Sequence, residues 1–319
     1  MKESDTVKKS RKLIGATTLA IFAWGAAAHA ADKPIIALIQ NNMQALFFVQ
    51  LGQGAQAEAD KKGYKLVIFD ANNDPAAQNN AMETYTQQKV SGIIVDALDR
   101  FGIMTDIKSA TRAGIPVVAV DTIVPQGPQV AQVGVDSEEA GRSMGEFFLK
   151  YMNAHGGKET VGIVGALESS DQNLREKGFV EVVKSAPGVT MAGVVDGRNV
   201  QEDALAAAEN LITANPSLTA IYATGEPALI GAAAAVETQG KQNQVRIFGW
   251  DLSKAAIRGI DSGYVVGVVQ QNPTAMGAVS VDAIVAKLAD KAPAKTVTIL
   301  VPIDIVTKAT VGPYRPIFK

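Results

Sequence analysis

Gly52-Gln53-Gly54-Ala55-Gln56-Ala57 has the spacing of a dinucleotide loop, G-x-G-x-x-A, whose glycines let the backbone approach a pyrophosphate. That chemistry needs the glycines at a strand-to-helix turn. Here they fall 12 residues past the first apolar run, inside a helical pattern whose face is Phe48, Leu51 and Ala55, so nucleotide binding is not expected. Gly141-Arg142-Ser143-Met144-Gly145 matches the hydrolase elbow G-x-S-x-G, but it too lies inside a helical pattern. A serine triad also needs a histidine base, and beyond residue 30 the chain has only His155, beside Gly156-Gly157 at the end of that helix. Asp70-Ala71-Asn72-Asn73-Asp74 opens like a calcium loop, yet Pro75 stands where the turn needs glycine and Ala81 where it needs a bidentate glutamate. There is no cysteine, which leaves too few soft ligands for zinc. No acid–base pair stands out among the carboxylates. The expectation is a protein that is not an enzyme and holds no metal and no cofactor.

The other polar candidates lie where apolar runs end. Runs rich in Val and Ile at 35–40, 65–70, 92–96, 117–120, 130–135, 161–165, 191–196, 220–224, 245–250, 265–270 and 297–300 alternate with amphipathic segments of helical length. That alternation is the signature of βαβ units, and runs apolar on both faces fit parallel strands covered by helices on both sides. In 137–152, Ala140, Met144, Phe147, Phe148 and Tyr151 share one face behind a capping Asp136; Asn272-Pro273 opens another helix. Eleven strands fit two sheets better than one. In open α/β sheets ligands bind beyond the carboxyl ends of the strands. Asn41, Asn42, Asn73, Asp96, Asp99, Asp121, Thr122, Glu226, Asp251 and Gln271 all fall there, although Asn and Asp also serve such places as turns and caps.

Residues 1–30 combine a basic head (Lys8, Lys9, Arg11, Lys12), an apolar stretch over 13–27 and a small-residue stop, Ala28-His29-Ala30. This is the pattern of a signal peptide cleaved near Ala30, and its apolar stretch is short against the roughly 20 residues of a spanning helix. Removing it takes five of 30 Lys and Arg and two of 32 Asp and Glu, leaving 25 against 30 and a net charge of −5. Without basic clusters, neither nucleic acid nor an anionic membrane is an expected partner. With no cysteine there is no disulfide framework and no lipid tether, so a freely diffusing monomer in the periplasm is expected.

Several of these residues, taken in order, resemble the sugar-binding proteins of bacterial ABC importers of the ribose-binding type. The matching segments are Asn41-Asn42-Met43-Gln44-Ala45-Leu46-Phe47-Phe48, Ile94-Val95-Asp96-Ala97-Leu98-Asp99, Ile115-Pro116-Val117-Val118-Ala119-Val120-Asp121, Asn173-Leu174-Arg175-Glu176-Lys177-Gly178-Phe179, Phe248-Gly249-Trp250-Asp251 and Gln270-Gln271-Asn272-Pro273. The likeness runs from about Pro34 to the C-terminus. It implies the type I periplasmic binding protein fold: two Rossmann-like lobes with parallel sheets, joined by a three-crossing hinge near Asp121, Gln271 and Asp304. Lobe one would be 33–120 with 272–303, and lobe two 121–271 with 304–319.

The resemblance also implies a site of Asn42, Phe47, Phe48, Asp99, Arg175, Trp250, Asp251 and Gln271. The aromatics would face the C–H side of a sugar, while Asp99, Arg175, Asp251 and Gln271 would take its hydroxyls. A membrane permease would recognise the closed form. A same-fold sensory protein, presenting a nucleoside, a quorum signal or another small polar ligand to a chemoreceptor or kinase, is the alternative. Three departures point away from ribose: Ala45 and Gly225 stand where a ribose binder has asparagine, and Gly197 where an aromatic is common. A different pentose, hexose or sugar alcohol is expected, with Asn41, Asn42, Gln44 or Glu226 supplying replacement contacts.

Overall fold

The computed structural model describes residues 33–293 and 295–318, together with Met1. The expected signal peptide, Met1 apart, lies outside the described residues. From Lys33 the chain builds β1 (Ile35–Gln40), α1 (Leu46–Lys61), β2 (Lys65–Asp70), α2 (Pro75–Gln87), β3 (Gly92–Val95), α3 (Met104–Arg112), β4 (Val117–Asp121) and β5 (Ala131–Gly134). It then builds α4 (Ser137–Ala154), β6 (Glu159–Gly165), α5 (Ser170–Val183), β7 (Val189–Asp196), α6 (Gln201–Ala214) and β8 (Ala220–Ala223). After these come α7 (Glu226–Thr238), β9 (Arg246–Trp250), α8 (Lys254–Ser262), β10 (Val265–Gln270), α9 (Pro273–Leu288), β11 (Val297–Leu300) and β12 (Asp304–Val306).

The apolar runs become two six-stranded sheets, ordered β2-β1-β3-β4-β5-β11 and β7-β6-β8-β9-β10-β12. Central strands such as β3, β4 and β8 are buried along their whole length because helices cover both faces. Every pairing is parallel except β10 with β12. Each sheet with its helices is one lobe of an α/β pair, as the strand pattern requires.

The expected first lobe boundary at Asp121 is not where the chain crosses. β5 pairs with β4, Val118 opposite Ala131 and Asp121 opposite Gly134, and β11 pairs with β5, so residues 131–134 belong to the first lobe. Parallel neighbours are usually joined through a helix, and the stretch 122–130 contains none, which made it read as a passage between lobes. The passages lie between β5 and α4, between β10 and α9, and between β11 and β12.

The two glycine motifs have a packing explanation. A Cβ on Gly54 would overlap the Thr274 carbonyl, so Gly54 is what brings α1 against α9. A Cβ on Gly141 would overlap the Arg175 carbonyl, so Gly141 brings α4 against α5 in the second lobe. His155 ends α4, exposed, its ring stacked 4.0 Å from that of Tyr151 and its Nδ1 2.7 Å from the Tyr151 carbonyl. In the calcium-like segment, Asp74 caps α2 by accepting from the Ala76 and Ala77 amides, with Pro75 in the first turn.

Candidate functional site

The carboxyl ends of both sheets face a cavity of about 680 Å³. Asn41, Phe47, Phe48, Asn73, Asp99, Asp121 and Thr122 line it from the first lobe, and Asp171, Gln172, Arg175, Asn199, Glu226 and Asp251 from the second, with Gln271 at a passage between them.

Phe47 and Phe48 are at the first turn of α1, nearly buried, their rings 5.2 Å apart and edge to face at 88°. The loop ahead of them is tied by Asn42, whose Oδ1 accepts from the Gln44 and Ala45 amides and whose Nδ2 donates to Asn73 Oδ1 at 3.1 Å. Asn42 is therefore corrected from ligand contact to loop support: it is 1% exposed and does not line the cavity, because its Oδ1 is turned to the loop amides and its Nδ2 to the Asn73 side chain.

Arg175 projects from α5 into the cavity wall. Its Nη1 donates to the Thr224 carbonyl at 3.1 Å, and its guanidinium lies 3.9 Å from the centre of the Trp250 ring. Trp250 in turn donates through Nε1 to the Tyr222 hydroxyl at 2.7 Å. Trp250 is 0% exposed and does not line the cavity, which corrects the expected role. Its face is given to the guanidinium, a cation–π platform that holds Arg175 in place. Asp251 follows directly, in left-handed backbone at φ 58°, and accepts from Gln271 Nε2 at 3.1 and 3.2 Å. Asp99 stands at the rim, exposed, accepting from the Phe101 amide at 2.9 Å, and reaches the cavity from its mouth.

The structure thus brings Phe47, Phe48, Asp99, Arg175, Asp251 and Gln271 to one cavity and leaves Asn42 and Trp250 behind it. It adds Asp171, Gln172 and Asn199, which sequence reasoning did not name, and Asp121, which it named only as a strand-end candidate and a crossing point. Asp171 is four residues before Arg175 in one helix, a spacing that puts both on the same face and could have revealed it. Thr122 donates to Asp171 Oδ2 at 2.8 Å, linking the lobes at the cavity wall, and Asp96 Oδ1 lies 3.3 Å from the same hydroxyl. A hydroxyl has one proton to give, so the second contact fits an Asp96 that is itself protonated. Burial, with Asp121 and Asp171 nearby, pushes Asp96 well above the usual carboxylate range.

Burial also raises Asp121, Glu226 and Asp251. Asp121 is pushed up to about 8 by burial and by the Asp171 charge, with Arg175 opposing. Glu226 is pushed up to about 7 by burial and by Asp251, and Asp251 is raised by burial against the pull of Arg175. Carboxyls poised near neutrality can both donate to and accept from hydroxyl groups. The departures from the ribose pattern also have an account. A Cβ on Gly225 would come within 2.9 Å of Gln172 Nε2, so Gln172 fills that space, held by Thr224 Oγ1 at 2.7 Å and Asn199 Oδ1 at 2.8 Å. At Gly197 a Cβ would meet that of Ala204 at 2.9 Å, which leaves no room for an aromatic wall.

Two lobes of like winding, with a polar cavity between the carboxyl ends of their sheets, define a cleft-binding protein. A family model for the periplasmic binding protein domain matches residues 36–292, and the chain belongs to that family. It is similar to the ribose import binding protein of Escherichia coli (strain K12), with 28% identity over 282 residues, 86% of this chain and 91% of the relative. It is also similar to the D-ribose/D-allose-binding protein of Pseudomonas aeruginosa, at 26% identity over 93% of this chain and 98% of that one. Among solved structures, an ABC transporter solute-binding protein from Burkholderia graminis in complex with D-arabinose superposes with a TM-score of 0.83 at 24% identity, covering 89% of this chain and 98% of its own. No helix among the described residues is long and apolar enough to cross a membrane.

Proposed function

We propose that this protein is the periplasmic solute-binding component of an ABC importer, taking a neutral monosaccharide or sugar alcohol between its lobes and delivering it to a membrane permease. The observation that carries this reading is the pairing, across one cavity, of the Phe47–Phe48 edge with the Arg175, Asp251 and Gln271 array. An apolar edge opposite dense donors and acceptors suits a molecule with a C–H face and a ring of hydroxyls. The relatives named for ribose and allose support the same class. Export with cleavage near Ala30, action as a monomer and release of the cargo unchanged belong to this reading. Phe47, Phe48, Asp99, Arg175, Asp251 and Gln271 would make the contacts, and the filled space at Gly225 and Gly197 favours a cargo other than ribose.

Thermal unfolding of residues 31–319 against pentoses, hexoses, sugar alcohols and nucleosides tests it. A ligand at 100 times its Kd adds about 2.7 kcal/mol to the folded state and raises the melting temperature by a few degrees. A shift with one sugar or polyol is expected. A shift with nucleosides alone, or with nothing in the panel, counts against the sugar assignment.

A further inference from the structure

The first turn of α1 is completed by the opposite lobe. A helix start leaves amides without partners, and a side-chain oxygen at the N-cap normally takes one of them. Ala45, at that position in α1, has no such oxygen. The partner comes instead from 179 residues away: Glu226 Oε2 accepts from the Phe47 amide at 3.2 Å, and the Leu46 amide also favours that carboxylate. Glu226 is itself the first residue of α7, whose own N-cap is the side-chain-less Gly225. The positive ends of two helices thus converge on one carboxylate that is 6% exposed. The apolar part of the same turn docks as well, for Leu46 packs against the second lobe's core cluster that includes Leu229 and Leu252. This is the turn that holds the Phe47–Phe48 edge.

We propose that Glu226 is a positioning residue that caps α1 from across the cleft, so that the aromatic edge takes its place against the cargo only as the lobes come together. The arrangement ties recognition to closure through a contact made by the protein alone. A ligand that needs Phe47 and Phe48 in place then binds the state that Glu226 favours.

The proposal depends on the sugar reading only for the ligand used in one arm of its test. The chain has no cysteine, so Glu83→Cys on α2 and Glu202→Cys on α6, both exposed, can carry a dye pair that reports the distance between lobes. With Glu226→Ala, the ligand-free distance distribution is expected to move to longer values, and affinity for the cargo found in the thermal panel to fall about tenfold. Glu226→Gln keeps a carbonyl acceptor and is expected to restore most of both. An alanine variant with unchanged distances and affinity overturns the proposal, as does a glutamine variant as impaired as alanine. Should alanine fail to fold, Glu226→Asp, one methylene too short to reach the amide, is expected to show the same opening, and wild-type distances in it overturn the proposal. If no panel molecule binds, the sugar reading fails while the ligand-free distances still decide the role of Glu226.

Discussion

β4 of the first lobe and β9 of the second hold the same place in their sheets, and each runs into an aspartate in left-handed backbone, Asp121 at φ 60° and Asp251 at φ 58°. The likeness recurs after β2 and β7. Asp70 accepts from the Asn72 amide at 2.7 Å and Asp196 from the Arg198 amide at 2.9 Å, and Asn72, Asn73, Arg198 and Asn199 all have positive φ. What differs is the filling of the remaining positions. After β1 the first lobe places the Phe47–Phe48 edge, whereas after β6 the second places Asp171, Gln172 and Arg175. One backbone plan therefore supplies an apolar edge from one side and a charged array from the other. The repeat provides matching places for side chains, and the residues that fill them divide the work.

That division can be broken, and the second lobe should be the more sensitive. Arg175→Ala removes the buried cation that opposes Asp121 and Asp251, and is expected to weaken cargo binding by about 100-fold or more, since unpairing a buried charge costs roughly 2–5 kcal/mol. Titration calorimetry reads this, and a loss under tenfold would show that the guanidinium is not central to recognition. Gly141→Val and Gly54→Val each force a side chain into a facing backbone, at α4–α5 and α1–α9, at a cost of about 1–3 kcal/mol of stability. Both melting temperatures should fall by a few degrees. Gly141→Val should also weaken binding, because the atoms it pushes are the backbone of Arg175, and equal affinity in the wild type and this variant would break the link.

The acids set a pH dependence. Asp121 and Glu226 sit at about 8 and about 7 in the folded protein, against ordinary values of 3.8 and 4.5. A folded state that keeps protons the unfolded chain has released loses stability as pH rises, so these groups weaken the fold progressively from about pH 4 to about pH 8. Half-buried Glu58 and Glu138 and exposed Asp261, held low by ion pairs with lysine or arginine, act in the opposite sense and only at the acid end. Unfolding by heat should therefore be easier at pH 8.5 than at pH 5.5, and no difference would mean that the two cleft acids are ionised throughout. The smallest effect is expected of Trp250→Phe, which keeps a ring beneath Arg175 but loses the bond to Tyr222, a change of about 1 kcal/mol in stability with little in affinity.

The strands were legible because a parallel strand covered on both faces is a short apolar run, and all eleven expected runs are strands. β12 escaped because it is three residues long, opens on an aspartate and is antiparallel, so it has no such run. β5 was found as a strand but given to the wrong lobe, because lobe membership is a matter of pairing and not of composition. Ordered motifs pointed to Arg175, Asp251 and Gln271, which line the cavity, but a motif gives a position and not a direction. Asn42 and Trp250 occupy the expected positions with their side chains turned to backbone and to Arg175. The internal repeat stayed hidden because Asp70-Ala71-Asn72-Asn73 and Asp196-Gly197-Arg198-Asn199 share only their ends.

α9 and β11 belong to the first lobe although they follow almost the whole of the second. α1 packs on α9 through Gly54 and Gly277, and β5 remains an edge until β11 pairs with it. The first lobe therefore cannot complete its core before residues 297–300 have been made, because its last strand ends at Leu300. The second lobe waits in the same way for residues 304–306. Such distant pairings make for slow folding, since the cost of closing long loops falls before the contacts that repay it. A growing chain of this design therefore leaves both lobes unfinished until residues 297–306 have been made.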